Sequence, residues 1–90
     1  MNKYSLLTVD LNEDVSTDAR NQFYAELQKR KWKKISDLTT LWYATWDAKV
    51  DASGIIGTTK KDVEDSAQVA KVEHYDAATA ICGTPVVWKK

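Results

Sequence analysis

The chain has a single cysteine, Cys82, and a single histidine, His74, among its 90 residues. One thiol cannot form an intramolecular disulfide, and it excludes a cysteine zinc site. No activating neighbour surrounds Cys82 in sequence, so an inert thiol in a reducing cytoplasm is expected. One imidazole rules out any two-histidine catalytic or metal constellation and leaves His74 a structural part at the end of the second helix or its following turn. Of the three glycines, Gly54 and Gly57 make no phosphate loop, because Lys-Ser or Lys-Thr is missing at the required distance. Ser16, Thr39, Thr40 and Thr45 have no base at a recognisable spacing, so nothing supports nucleophilic hydrolysis. No stretch approaches the roughly 18 to 20 apolar residues that span a bilayer, and no membrane partner is expected. The N-terminus has no basic segment leading into an apolar run and cleavage site, so no signal peptide is expected. Charge of one sign is missing too. Thirteen basic and 13 acidic residues cancel, and only their distribution could favour a nucleic acid.

Aromatic residues are plentiful, with four Trp and four Tyr. A chain of this length makes one domain and buries only about 60–65% of its unfolded surface. Either some rings pack against a second subunit, since small domains recover core by oligomerising, or all fit in the monomer core. The densest apolar stretch is Leu38 to Asp47, Leu-Thr-Thr-Leu-Trp-Tyr-Ala-Thr-Trp-Asp. Its aromatic and β-branched composition predicts a central strand. Side chains alternate along a strand, placing Leu41, Tyr43 and Thr45 on one face and Trp42, Ala44 and Trp46 on the other.

Tyr4 to Leu11 reads as a first strand, with Ser5, Leu7, Val9 and Leu11 sharing a face opposite Tyr4, Leu6, Thr8 and Asp10. Ser16 or Thr17 then offers an N-cap oxygen and Asp18 an anion in the first helical turn. Ala19, Phe23 and Leu27, flanked by Tyr24, recur at helical spacing and predict a helix over 17–31 that ends in Lys29, Arg30 and Lys31. Trp32 to Ser36 suits a short edge strand guarded by lysines, and Ser36-Asp37 turns the chain into the long strand. Ala48 to Gly57 reads as a loop. Thr58 or Thr59 would cap a second helix carrying Val63, Ala67 and Ala70, with Asp62 as a short-armed capping-box partner. Ala77 to Cys82 predicts a fourth strand. After Gly83-Thr84-Pro85, Val86-Val87-Trp88 offers a short last strand that Pro85 confines to an edge or a sheet extension. The order β-α-β-β-α-β is that of a single ferredoxin-like α+β domain spanning residues 1–90, with both helices on one side of one sheet.

Two groups of side chains could carry chemistry. Asp10 ends the first strand with Glu13 and Asp14 beyond it; such carboxylates hold a divalent cation through oxygen, or are solvated turn acids. Lys29 to Lys34, Lys-Arg-Lys-Trp-Lys-Lys, sets five cations around one aromatic. Basic groups neutralise phosphates and an aromatic stacks on a base, though a helix end followed by a charged edge explains them equally.

In its layout the chain resembles the small CRISPR-associated ferredoxin-like nucleases, the second Cas protein and its relatives. Those relatives include the VapD ribonucleases and the GhoS-type antitoxin ribonuclease. The shared features are a first strand ending in aspartate (Leu7-Thr8-Val9-Asp10-Leu11), a helix opening with Arg20 and carrying Phe23 and Leu27, and a short strand at Lys33–Ile35. An aromatic strand at Thr40–Trp46 and a short strand after Gly83 complete the likeness. The resemblance implies a homodimer in which two Asp10 side chains face each other and share Mg2+ as catalytic and metal-binding residues. The reaction would be phosphodiester hydrolysis, with RNA or DNA held by Arg20, Lys29, Arg30, Lys31, Lys33 and Lys34. That makes a nucleic-acid-binding protein, or a metal-dependent endoribonuclease or nuclease of CRISPR-associated or toxin–antitoxin type. The alternative is a non-catalytic module, phage- or mobile-element-encoded, that binds another protein through Trp42, Trp46 and Trp88.

Overall fold

A computed structural model describes residues 3–35 and 41–83. Six elements follow one another: β1 (Lys3–Leu11), α1 (Thr17–Lys29), β2 (Lys33–Lys34), β3 (Leu41–Trp46), α2 (Ala52–Ala70) and β4 (Tyr75–Cys82). The Ser36-Asp37 turn, the beginning of the long strand with Thr39 and Thr40, and the short strand after Pro85 lie outside the described residues.

The sheet has the order β2-β3-β1-β4, and every neighbouring pair is antiparallel. Each helix therefore joins two parallel strands that have a third strand between them. Two such split units interlocked define the ferredoxin-like fold. Alternation settles which face the helices cover. Ser5, Leu7, Val9 and Leu11 of β1 are buried, while Thr8 and Asp10 are exposed. Register sets Leu7 beside Trp42 and Ser5 beside Ala44. Leu7, Val9, Trp42 and Ala44 join Phe23, Leu27, Val63 and Ala67 in one core. Among the described residues, none on the opposite face, which carries Tyr4, Leu6, Leu41 and Tyr43, belongs to that core or packs against it.

Ser16 rather than Thr17 caps α1, its Oγ accepting from the Ala19 N–H at 3.1 Å. The helix stops at Lys29, two residues short of the expected end, because Lys31 turns left-handed with φ 70°. The Lys31 N–H then donates to the Gln28 carbonyl and the Trp32 N–H to that of Leu27. This pair of bonds is a Schellman closure, made with lysine where glycine is usual. Trp32 is thereby drawn into the core instead of opening β2, and its indole N–H donates to Asp62 at 3.0 Å. Only Lys33 and Lys34 remain in β2.

The second helix begins earlier than its glycines suggest. Residues 52–57, expected in a loop, form its first turns, and Asp51 is the cap, its side chain accepting from the Gly54 N–H at 2.7 Å. A Cβ on Gly54 would stand 3.0 Å from Asp51 Oδ1. This glycine makes room for the cap and does not mark a loop. Interior glycine costs a helix about 1 kcal/mol relative to alanine, a penalty that burial of Ile55 (0% exposed) offsets, since a buried Ile contributes about 1.5–3 kcal/mol. Thr59, expected as a possible cap, is buried mid-helix, its hydroxyl donating to the Ile55 carbonyl at 2.7 Å. The small stripe Val63, Ala67 and Ala70 does face the core. Strand β4 starts two residues before the expected Ala77, because the Tyr75 ring packs on Phe23 with centroids 6.3 Å apart.

Removing the cap tests the revised start of α2. Asp51→Ala should lower the unfolding free energy by about 1 kcal/mol in urea, whereas Thr58→Ala should stay within about 0.5 kcal/mol of wild type. The reverse ranking would place the helix start back at the threonines.

Candidate functional site

The sheet face without helices is organised in rows by the register. Lys33, Tyr43, Leu6 and Ala80 lie side by side across all four strands. Toward the end of β1 the next row holds Leu41, Thr8 and Ala78, and the last holds Asp10 directly opposite Asp76. Both acids are exposed. Like charges on directly opposed strand residues destabilise a sheet by a few tenths of a kcal/mol to about 1, so this pair is a local cost. Sequence reasoning missed Asp76, because it began the fourth strand one residue too late to include it. The aromatic Tyr75 was the available sign that the strand reaches further back.

Around the pair, a depression of about 870 Å³ is lined by Asp10, Glu13, Glu73, His74 and Asp76, among others. His74 stands exposed there. It does not cap α2, which Lys71 closes in a left-handed conformation with φ 60°. Asp10 and Asp76 offer two carboxylates to a cation. No group of three or more His, Cys, Asp or Glu side chains among the described residues could hold a metal ion. Magnesium is commonly held by one or two carboxylates, with water and substrate phosphate completing its shell, so the pair offers a partial ligand set within one protomer.

The basic segment divides into separate parts. Lys29 and Arg30 both pair with Glu26, each at 2.9 Å, and Gln22 donates to the same carboxylate at 3.3 Å. Glu26 is only 5% exposed, and three donors make its burial tolerable. The Lys29 ammonium, followed by the Arg30 guanidinium, holds its carboxyl below the usual range. Arg30 also donates to the Glu26 carbonyl, so it closes the helix end and is little free for a ligand. The Lys29 side chain remains 70% exposed. Lys31, Lys33 and Lys34 are exposed and form no ion pair among the described residues. Lys34 pairs with Trp42 and so lies on the helix side, its Nζ 5.5 Å from the Tyr24 ring centroid. Lys33 pairs with Tyr43 and lies on the open side.

Arg20 does not join this group. It lies in the first turns of α1, about 16 Å along the axis from Lys31 at 1.5 Å per residue, and its guanidinium reaches the Asn12 carbonyl at 3.4 Å. The expected tryptophan surface is also not what the fold presents. Trp42 is 0% exposed, because it faces the helices, and its ring lies 5.6 Å from that of Tyr24. Trp46 is half-buried, its indole N–H donating to Ser5 Oγ at 2.8 Å and its ring meeting Trp32 edge-on. These rings serve the monomer core; Trp88 lies outside the described residues. No helix among the described residues is long and apolar enough to cross a membrane.

No family model, curated protein or solved structure matches the chain.

The Glu26 cluster gives a pH dependence of known sign. A carboxyl held lower in the folded than in the unfolded chain stabilises above its ordinary range, and that contribution fades as pH falls through the folded value. Glu26→Gln should therefore unfold more easily than wild type in urea at about pH 7, with the gap narrowing as pH falls below the ordinary carboxylate range. A gap that persists undiminished in acid would assign the effect to packing.

Proposed function

We propose that the chain is a homodimeric nucleic-acid-binding protein that grips the phosphate backbone along its β2 edge. The observation that carries this reading is the set of exposed cations where α1 hands over to β2. Lys31 and Lys34 are exposed and outside any ion pair among the described residues, and Lys29 is exposed despite its bond to Glu26. Tyr24 beside Lys34 and the half-buried Trp46 add ring surface near the same helix end. The contact is of the backbone type, which distinguishes poorly between sequences and between RNA and DNA. The lone free thiol of Cys82 suits a reducing cytoplasm.

Magnesium-dependent cleavage is the finer reading, and the Asp10–Asp76 pair is the observation that favours it. On the resemblance, two protomers would bring these pairs together around the ion. A surface that binds another protein is the remaining reading. With Trp42 inside the core, such a surface would be the open sheet face.

Binding of labelled single-stranded RNA and duplex DNA tests the proposal. Three phosphate contacts predict a loss of about 20- to 40-fold in affinity between about 50 and about 200 mM salt. Lys31→Ala with Lys34→Ala should flatten that dependence by about two units of slope, and Arg20→Ala should leave it unchanged. Absence of binding would remove nucleic acid as the ligand, and binding that ignores salt or survives the double substitution would remove the β2 edge as its site. Cleavage that needs magnesium and is lost in Asp10→Ala would establish the hydrolytic reading instead.

A further inference from the structure

The net charge of zero conceals a polar arrangement on the open face. Four residues of β1, at about 3.3 Å each, separate the Leu6 row from Asp10, a distance of about 13 Å. Strands β4 and β2 are the two edges, separated by three inter-strand spacings of about 4.8 Å. Asp10 and Asp76 therefore form an acidic corner at the β1–β4 end, and Lys33 a basic edge diagonally across from it. Between them lie Leu6, Leu41 and Tyr43, half-buried and outside the core, with Tyr4 one row further from the corner. Neither the corner nor the edge is compensated within the protomer: Asp10, Asp76 and Lys33 form no ion pair among the described residues.

We propose that this face packs on the same face of a second copy about a two-fold axis running diagonally across it. The Asp10–Asp76 corner of each protomer then rests on the Lys33 edge of the other. The inference rests on the homodimer of the preceding section and specifies its arrangement. A second copy is the occupant because the chain carries both signs on one face, and an isologous contact uses each complementary pair twice. The diagonal axis crosses the two sheets near a right angle, one of the two common modes of sheet packing. Superposing the acidic corners instead would bring four carboxylates together, and like-charge juxtaposition costs several kcal/mol. In the proposed dimer the two Asp10 side chains stay apart, and Lys29, Lys31 and Lys34 remain outside the contact for phosphate.

Analytical ultracentrifugation of charge-reversed full-length chains tests this arrangement, with circular dichroism confirming that each remains folded. Wild type should sediment as a dimer. Lys33→Glu alone, and Asp10→Lys with Asp76→Lys, should each weaken dimerisation at least about tenfold. Mixing the two variants should restore a one-to-one dimer, since every contact is then again between opposite charges. Wild type that is monomeric at high concentration would overturn the homodimer itself. A wild-type dimer indifferent to Lys33→Glu, or variants that fail to recover on mixing, would overturn this arrangement and leave the homodimer standing.

Discussion

The pairing of β1 with β3 in one register fixes the rest of the molecule. Ser5 is completely buried, and its hydroxyl is satisfied by the Trp46 indole N–H at 2.8 Å. A slip of β1 by one residue would break that bond and send Leu7 and Val9 to the face opposite Trp42. The register has a cost as well. The Trp42 indole nitrogen is buried without a partner, a loss of about 1–3 kcal/mol. A ring that removes on the order of 200 Å² of surface from water gains about 5 kcal/mol at 25 cal/mol per Å². Burial wins, and the ring stays under the helices.

The same alternation places the charges. Even positions of β1 face away from the helices, which puts Asp10 on the open side, and β4 adds Asp76 beside it. At the far edge β2 splits its two lysines between the faces, Lys34 toward Tyr24 and Lys33 toward the open side. Glu26 neutralises the cations nearest the helix end. A run of five basic residues in sequence thus becomes a structural pair at Glu26 plus cations on two different surfaces. The chain's neutrality is a sum over separated patches and not an absence of field.

Much of this was legible in the sequence where periodicity is strong. The faces of β1, the buried stripe Phe23 and Leu27, and the shared face of Trp42 and Ala44 follow from spacings of two and of three to four. The ferredoxin-like order follows from the succession of those elements. The start of α2 was not legible, because Gly54 and Gly57 carry the usual signs of a loop and only the approach of Asp51 to the Gly54 amide gives them another use. The end of α1 was missed because a lysine occupies the left-handed position that glycine would have announced. Asp76 stayed hidden for a different reason: its neighbour Asp10 lies far away in sequence, and strand register is not written in either segment alone. The tryptophans misled as surface residues, since composition gives their number and not the side they face.

One face of this sheet builds the fold, and on the proposed reading the other makes the contact with a second copy. Leu6 and Leu7 are neighbours on opposite faces, half-buried and 1% exposed respectively. Leu6→Asp and Leu7→Asp should therefore fail in different ways when thermal unfolding and solution mass are recorded on each. Leu7→Asp should abolish cooperative folding, whereas Leu6→Asp should unfold cooperatively and sediment as a monomer. Loss of folding in both, or a Leu6→Asp chain that remains a dimer, would contradict the account.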